Sequence, residues 1–349
     1  MRVAFVSLFT PGHGMTPARK RTWQFARGLT ERGHEVVWLC SRWWGGEHDT
    51  FEEDGIAYRS VVVDPAPTTF AAKLPAAIRR VAPDVVHAVN SPPTCGLGAT
   101  VAGTLTRTPV LVDWWRDHPD DAHGRYGPLA RSADLLTAPS RTTKTRVREH
   151  GASGEAVRLL PGSIDMDLAR EAPVDDRFDV IYSRRLDRHA NVETFLLALA
   201  ELRGRDWRAA VIGDGPEREV TEATAADLRI ADRVHFLGDL PLEERVSILK
   251  GTHVAVGTAT WETFPMELLW ALACGCVGLV EYQADSSAHE LVEGRRRGRL
   301  VTSPSELADE IVAVAELERR SVDEAFASYD HGAVMNRQID AYRSLLNDG

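Results

Sequence analysis

HVAVGTATWETFPMELLWALACGCVGLVE, residues 253–281, decides the fold. HVAVGTAT (253–260) reads as a short buried strand, and Pro265 can open a helix at its first turn, where its missing N–H costs nothing. A small-residue-rich helix follows, and then GCVGLVE as a second apolar strand. Strand, helix and strand in so short a space are the unit of a parallel sheet. Glu262 stands at the strand-to-helix turn. There the backbone N–H groups of Thr263, Phe264 and Met266 can face an anion, and the helix dipole favours negative charge. A carboxylate at such a turn has two readings: it caps the helix, or it accepts hydrogen bonds from sugar hydroxyls.

The same alternation runs outward in both directions. RVAFVSL (2–8), HEVVWLCS (34–41), PDVVHAV (83–89), PVLVDWW (109–115), ADLLTAPS (133–140) and VRLLPGSID (157–165) are expected strands separated by segments of helical length. LAREAPVDD (168–176) reads as a linker, after which FDVIYSRRL (178–186), RAAVIGDG (208–215) and RVHFLGD (233–239) begin a second round. The pattern predicts an α/β protein of two Rossmann-like doubly wound parallel-sheet domains, over 1–167 and 177–328. Residues 329–349 form an amphipathic helix, with Met335, Ile339, Tyr342 and Leu346 on one face.

A length of 349 residues fits about two domains. A net charge of -10 argues against nucleic acid as the main partner, because phosphate neutralisation needs a basic surface. Lys20, Lys73, Lys144 and Lys250 are the only lysines, so arginine carries almost all the positive charge. Cys40, Cys95, Cys274 and Cys276 read as reduced buried thiols, since C-x-C in an apolar helix end is not a zinc spacing. MRVAFVSLF shows no export signal, and the longest apolar run, 268–280, is short of the ~18 residues of a membrane-spanning helix. The expected location is the cytoplasm, with peripheral contact at the inner membrane face left open by the basic run SRTTKTRVREH (140–150).

Other motifs sit where strands end. PGHGM (11–15) places Gly12, His13 and Gly14 after the first strand, either as a ligand-approach turn or as a plain strand-to-helix turn. It is not a dinucleotide fingerprint, because Pro17 stands where the third glycine belongs. Gly213, Asp214 and Gly215 form a second tight turn. Arg184 and Arg185 end a strand, where two guanidiniums can grip a diphosphate. Asp165 and Asp167 offer a weak metal pair, which is discounted, so no metal site is expected. His87 and Asp113 end strands of the first half, and the loop at 113–125 concentrates acids, bases and aromatics. His87 is read as a structural or a catalytic histidine.

In their order and spacing, PDVVHA, ADLLTAPS, VRLLPGSID, SRRLDRHANVETFLLALAEL, AAVIGDGPERE, RVHFLGDLP, ETFP…ALACGCVGLVE and HELVEGRRRGRLV resemble the family-4 (group 1) retaining glycosyltransferases of the GT-B architecture. The resemblance implies two domains facing a cleft, with the terminal helix returning to the first. It implies a nucleotide-diphosphate sugar held by the second domain, an acceptor on the first, retention of anomeric configuration, and no metal or separate cofactor. The acceptor it implies is a glycan, a lipid-linked molecule or a small molecule. Glu262, Arg185 and His87 become the expected catalytic residues. Arg184, the 213–215 turn and residues 262–266 become the donor site, and Gly12–Gly14 with Asp113 the acceptor side. Three positions depart from the family pattern. Trp270 replaces the second carboxylate of E-x7-E, Ala190 the lysine five residues after Arg185, and Val89 the second histidine of H-x-H. The departures leave a second reading open, a degenerate member that binds a nucleotide or glycan, or supports a partner transferase, without turnover.

Overall fold

A computed structural model of the chain describes residues 1–116 and 126–347, and the expected loop chemistry beyond Arg116 lies outside the described residues. The chain divides into two compact units, residues 1–161 with 334–349, and residues 162–333.

Unit 1 opens with β1 (Arg2–Val6), α1 (Pro17–Thr30), β2 (Glu35–Ser41), β3 (Thr50–Glu53), β4 (Ile56–Val62) and α2 (Pro67–Val81). It continues with β5 (Val85–Val89), α3 (Pro93–Thr106), β6 (Val110–Asp113), α4 (Tyr126–Ser132), β7 (Leu135–Ala138), α5 (Arg141–Glu149) and β8 (Val157–Leu159). The sheet order is β3-β4-β2-β1-β5-β6-β7-β8, parallel throughout except for β3. Strands such as Val3–Val6 and Val110–Val112 are buried on both faces, which is why they read as continuous apolar runs. The β3–β4 hairpin turns at Asp54 and Gly55, with φ of 53° and 72°. Such a left-handed pair favours Asp-Gly, and it replaces the expected crossover with a tight reversal.

Unit 2 begins with α6 (Met166–Glu171), β9 (Val180–Ser183), α7 (Val192–Glu201), β10 (Ala209–Ile212), α8 (Arg218–Asp227) and β11 (Val234–Gly238). Next come α9 (Leu242–Gly251), β12 (Val254–Gly257), β13 (Trp261–Glu262), α10 (Met266–Ala273), β14 (Val277–Glu281) and β15 (Asp285–Ser286). It ends with α11 (His289–Val292), β16 (Gly298–Val301) and α12 (Pro304–Ala313). The main sheet is all parallel in the order β11-β10-β9-β12-β14-β16. β9 is therefore where the winding reverses, the place at which doubly wound sheets leave a crevice beyond their carboxyl ends.

The unit boundary falls earlier than residue 167. Ile164 bridges Asp330, and its N–H bonds the Tyr329 carbonyl at 3.0 Å, which fixes this segment inside unit 2. The stretch read as a linker is also tied down. Lys250 Nζ donates to the carbonyls of Arg170 and Ala172 at 2.7 and 2.6 Å, and Asp175 N–H to Ser247 O at 3.0 Å. The last helix, α13 (His331–Asn347), contributes Val334, Met335, Ile339 and Tyr342 to the unit 1 core beside Phe5, Phe25 and Trp38. The four cysteines are free and buried. Among the described residues no helix is long and apolar enough to cross a membrane.

Candidate active site

The crevice at β9 is real. Ser183, Arg184, Gly257, Glu262, Glu267 and Leu268 line a narrow crevice at the carboxyl ends of β9 and β12. Its floor is set by strand burial, and its rim by the residues that follow each strand.

Arg184 leaves β9 and turns across the cleft. Its Nη1 donates to Glu262 Oε1 at 2.7 Å and its Nη2 to the Trp261 carbonyl at 3.2 Å, with Asp187 3.6 Å away. Its Nε is buried and finds no acceptor among the described residues. Burial alone would lower the Arg184 pKa, but the carboxylates of Glu262 and Asp187 outweigh it and hold the group above its ordinary value. Burial pushes the Glu262 carboxyl upward, with Glu267 adding to the rise and Arg184 opposing it. The Glu262 side chain keeps 21% of its exposure, so it still meets the cleft. Glu262 does not cap α10. The N-cap is Pro265, and the carboxylate is committed to Arg184.

The neighbouring Arg185 is exposed, and its guanidinium engages no other side chain among the described residues. It is a free cation at the end of a strand whose other arginine is already paired. The Gly213–Asp214–Gly215 turn packs beside both. A Cβ at Gly213 would fall 2.1 Å from the Arg184 carbonyl oxygen, and one at Gly215 2.2 Å from that of Leu186. Gly213 also has φ of 123°, so glycine is required there on two counts. Asp214 is spent on the turn: its carbonyl accepts from Leu186 N–H at 3.0 Å and its Oδ1 from Gly215 N–H at 2.7 Å.

The helix entrance differs from expectation at one atom. Met266 N–H bonds the Phe264 carbonyl at 3.0 Å, so it is already occupied and does not await an anion. The turn is braced from below, where Ser287 N–H reaches Glu262 O at 3.0 Å and Ser287 Oγ reaches Thr263 O at 2.9 Å. Thr263, Phe264 and Pro265 are buried.

Glu267 reaches the same cavity. Ser183 Oγ donates to its Oε2 at 3.3 Å, and Arg245 lies 3.1 Å from that oxygen. The signal for Glu267 was an acidic residue in a helix's first turn. Ser183 and Arg245 carried no sequence signal, because their role depends on where β9 and α9 meet. Trp270 is 4% exposed and belongs to the core, so the expected second carboxylate has no direct replacement at that position. Ala190 is 1% exposed, and its carbonyl accepts from Tyr182 Oη at 2.6 Å, so a lysine side chain would start from a packed interior.

In unit 1 the structure corrects two assignments. His87 is fully buried, stacked on Phe5 with ring centroids 4.6 Å apart, and its Nδ1 pairs with Tyr342 Oη at 2.6 Å. Burial pulls its pKa down to about 4. A neutral ring sealed in the core reaches no substrate, so His87 is a packing residue. Asp113 is equally buried, accepting from Arg21 Nε at 2.9 Å and Thr137 Oγ1 at 2.7 Å. Burial opposes its charge, yet Arg21 holds its pKa below the ordinary value. Its work is to neutralise Arg21, whose other N–H groups bond the carbonyls of Leu160 and Pro161 at 2.8 and 2.7 Å.

The Gly12–His13–Gly14 turn remains at the surface end of β1. His13 Nδ1 accepts from Thr10 N–H at 3.1 Å and its Nε2 lies 2.9 Å from Ser41 Oγ, while burial and Arg19 lower its pKa. A Cβ on Gly12 would strike the Trp43 ring at 2.1 Å. Asp165 caps α6 through Leu168 N–H at 3.0 Å, and Asp167 pairs with Arg170 at 2.7 Å. Among the described residues no group of three or more His, Cys, Asp or Glu side chains is placed to hold a metal ion.

Comparison with known proteins agrees with this architecture. The family profile "Glycosyl transferases group 1" matches residues 164–329, and "Glycosyl transferase 4-like domain" matches residues 18–162. A 2-deoxystreptamine glucosyltransferase of Streptomyces kanamyceticus is 28% identical over 42% of this chain and 42% of its own length. A lipopolysaccharide 1,6-galactosyltransferase of Escherichia coli is 24% identical over 59% of this chain and 61% of its own. The chain therefore matches less than two thirds of the length of these curated relatives. Among solved structures, a glycosyltransferase from Rickettsia africae superposes with a TM-score of 0.79 at 14% identity, covering 100% of this chain and 99% of that one. HepE of Anabaena, solved in complex with UDP, gives 0.77 at 18% identity, covering 98% and 99%. Those structural likenesses speak for the fold, and the two adjoining profiles span both units: the chain belongs to the group 1, family-4 glycosyltransferases of the GT-B fold.

Proposed function

We propose that this glycosyltransferase moves a sugar from a nucleotide-diphosphate donor to an acceptor hydroxyl with retention of anomeric configuration. The carrying observation is the Arg184–Glu262 pair, 2.7 Å apart at the winding reversal of unit 2, with the unpaired Arg185 beside it. Arg185 and Arg184 neutralise the diphosphate, and Glu262 accepts from the donor sugar's hydroxyls. In the transfer, the bond from the anomeric carbon to the phosphate oxygen breaks and its electron pair leaves with the diphosphate. The acceptor oxygen bonds the same carbon and its proton passes to the departing phosphate. Positive charge from guanidiniums and backbone N–H groups stabilises the leaving group, so the reading calls for no bound metal and no cofactor beyond the donor.

HepE binds UDP, and another relative is a GDP-mannose-dependent phosphatidylinositol monomannoside mannosyltransferase of Mycolicibacterium smegmatis, 30% identical over 33% of this chain and 34% of its own length. Between them the relatives support a nucleoside diphosphate donor and an acceptor that is a small molecule, a lipid-linked molecule or a glycan. The acceptor side is assigned to unit 1, at the Gly12–Gly14 turn. The location is the cytoplasm, with peripheral contact at the inner membrane face for a lipid-linked acceptor.

A second reading, binding without turnover, is favoured by the buried Trp270 and Ala190 at two family charge positions. One experiment separates the two. Purified protein is incubated with UDP- and GDP-sugars and a panel of acceptors, while released nucleoside diphosphate is followed and the product anomer is read by NMR. Release by the parent protein with a product of unchanged anomer, weakened about 10-fold or more at low donor concentration in Arg185→Ala, is the expected result. Nucleotide binding without any release supports the second reading, and absence of both overturns the proposal.

A further inference from the structure

Unit 2 carries a second cavity, at the opposite end of its sheet. It lies beside the segments that lead into β14 and β16, whereas the donor cleft lies beyond the carboxyl ends of β9 and β12. Arg295, Arg296, Arg297 and Arg320 line it, and the carboxylates on its wall are Glu318 and Asp323. Its volume is about 310 Å³, the lower end of the range of small-ligand sites.

The acidic residues do not balance this charge. Asp323 Oδ1 accepts from Ala325 N–H at 3.0 Å and so caps the following turn. Glu318 stands 4.0 Å from Arg320 and its side chain is 82% exposed. Arg296 is exposed and its guanidinium has no partner among the described residues. Arg295 lies over the Phe326 ring at 4.2 Å, held there by a cation–π contact.

Arg297 is the fixed element. Its Nη1 and Nη2 donate to the carbonyls of Glu318 and Gly275 at 2.8 and 2.7 Å, while its Nε is buried with no acceptor. Burial and the nearby Arg320 lower its pKa by more than Cys276, Asp323 and Glu318 raise it. A buried guanidinium donor left unpaired is costly, and an acceptor oxygen would relieve it. Planar forks of N–H donors match phosphate oxygens, and several forks around one cavity match two linked phosphates.

We propose that this arginine-lined cavity of unit 2 binds a phosphate-bearing anion of two or more negative charges, at a site separate from the donor cleft. The anion is either a free phosphorylated molecule or the phosphate of a lipid headgroup, and inorganic pyrophosphate and phosphatidylglycerol vesicles probe the two sources. α10 connects the places, since Glu267 and Leu268 near its start line the donor cleft and Leu272 near its end lines this cavity.

The test is calorimetric titration of pyrophosphate into the full chain, into Arg184→Ala and into Arg296→Glu/Arg320→Glu, each first checked to be folded at the temperature of the titration. The double variant leaves Arg297 and its carbonyl bonds intact. The expected result is binding that survives Arg184→Ala and weakens at least 10-fold in the double variant, with a strong salt dependence. Sedimentation with vesicles of 30% phosphatidylglycerol in phosphatidylcholine forms the second arm. Vesicle binding lost in the double variant assigns a headgroup, and pyrophosphate binding without vesicle binding assigns a free ligand. The proposal is overturned if neither probe binds, or if pyrophosphate binding is indifferent to the double variant.

Discussion

Arg184 and Glu262 close a 2.7 Å ion pair between the end of β9 and the turn before α10, while Arg185, one residue on, stays exposed and unpaired. The two arginines thus have different duties despite their adjacency. Arg184→Ala leaves Glu262 buried without its partner and should cost about 3 kcal/mol of stability as well as activity. Arg185→Ala should leave the melting temperature unchanged and raise the KM for the donor about 10- to 100-fold, the loss of one charge-assisted contact. Thermal unfolding and donor kinetics on both variants check the split, and equal effects would refute it.

His87 should act on stability through pH. Its neutral form is favoured in the fold, where its pKa is near 4, against an ordinary value of 6.5. The unfolded chain takes up this proton first as pH falls. The stabilising contribution is therefore complete above pH 6.5 and is lost on descent through pH 4, to a total of ~3 kcal/mol. Urea unfolding of His87→Gln should show a shallower loss than the parent over that window, with donor kinetics at neutral pH little changed. Identical pH profiles for the two proteins would contradict the assignment.

Gly213→Ala should disturb both fold and cleft. Its φ of 123° and the 2.1 Å approach to the Arg184 carbonyl leave no room for a methyl group. A destabilisation of about 2 kcal/mol is expected, together with a fall in kcat/KM as Arg184 is displaced. Full activity at unchanged stability would show that the loop adapts freely.

Trp270→Glu tests whether the family's second carboxylate is merely absent or structurally replaced. The indole is 4% exposed, so a carboxylate there should cost about 4 kcal/mol or more and add no donor affinity. A stably folded variant with tighter donor binding would show that the indole faces the ligand.

The parallel sheets were legible because their strands are apolar throughout, and Arg184, Glu262 and the 213–215 turn were legible because each follows such a strand directly. His87 and Asp113 were misread for the same reason in reverse. A polar residue at a strand end signals a site only if nothing in the core satisfies it, and here Tyr342 and Arg21 do so from distant parts of the sequence. Glu267 lay outside the expected spacing, and only the fold brings its carboxylate to Ser183. The β3–β4 hairpin was missed because the alternation of strands and helices predicts crossovers, whereas Asp54-Gly55 permits a tight reversal.

That hairpin also bears on solubility. An open sheet such as the eight-stranded one of unit 1 ends in a row of unpaired backbone groups that another chain could extend. Here the last strand is the four-residue β3, antiparallel to its neighbour, with Glu52 and Glu53 exposed on it. A second molecule adding a strand would bring its own β3 carboxylates against these two. The outer margin of unit 1 thereby resists end-to-end polymerisation, and a chain that lost Glu52 and Glu53 would be expected to associate as its concentration rises.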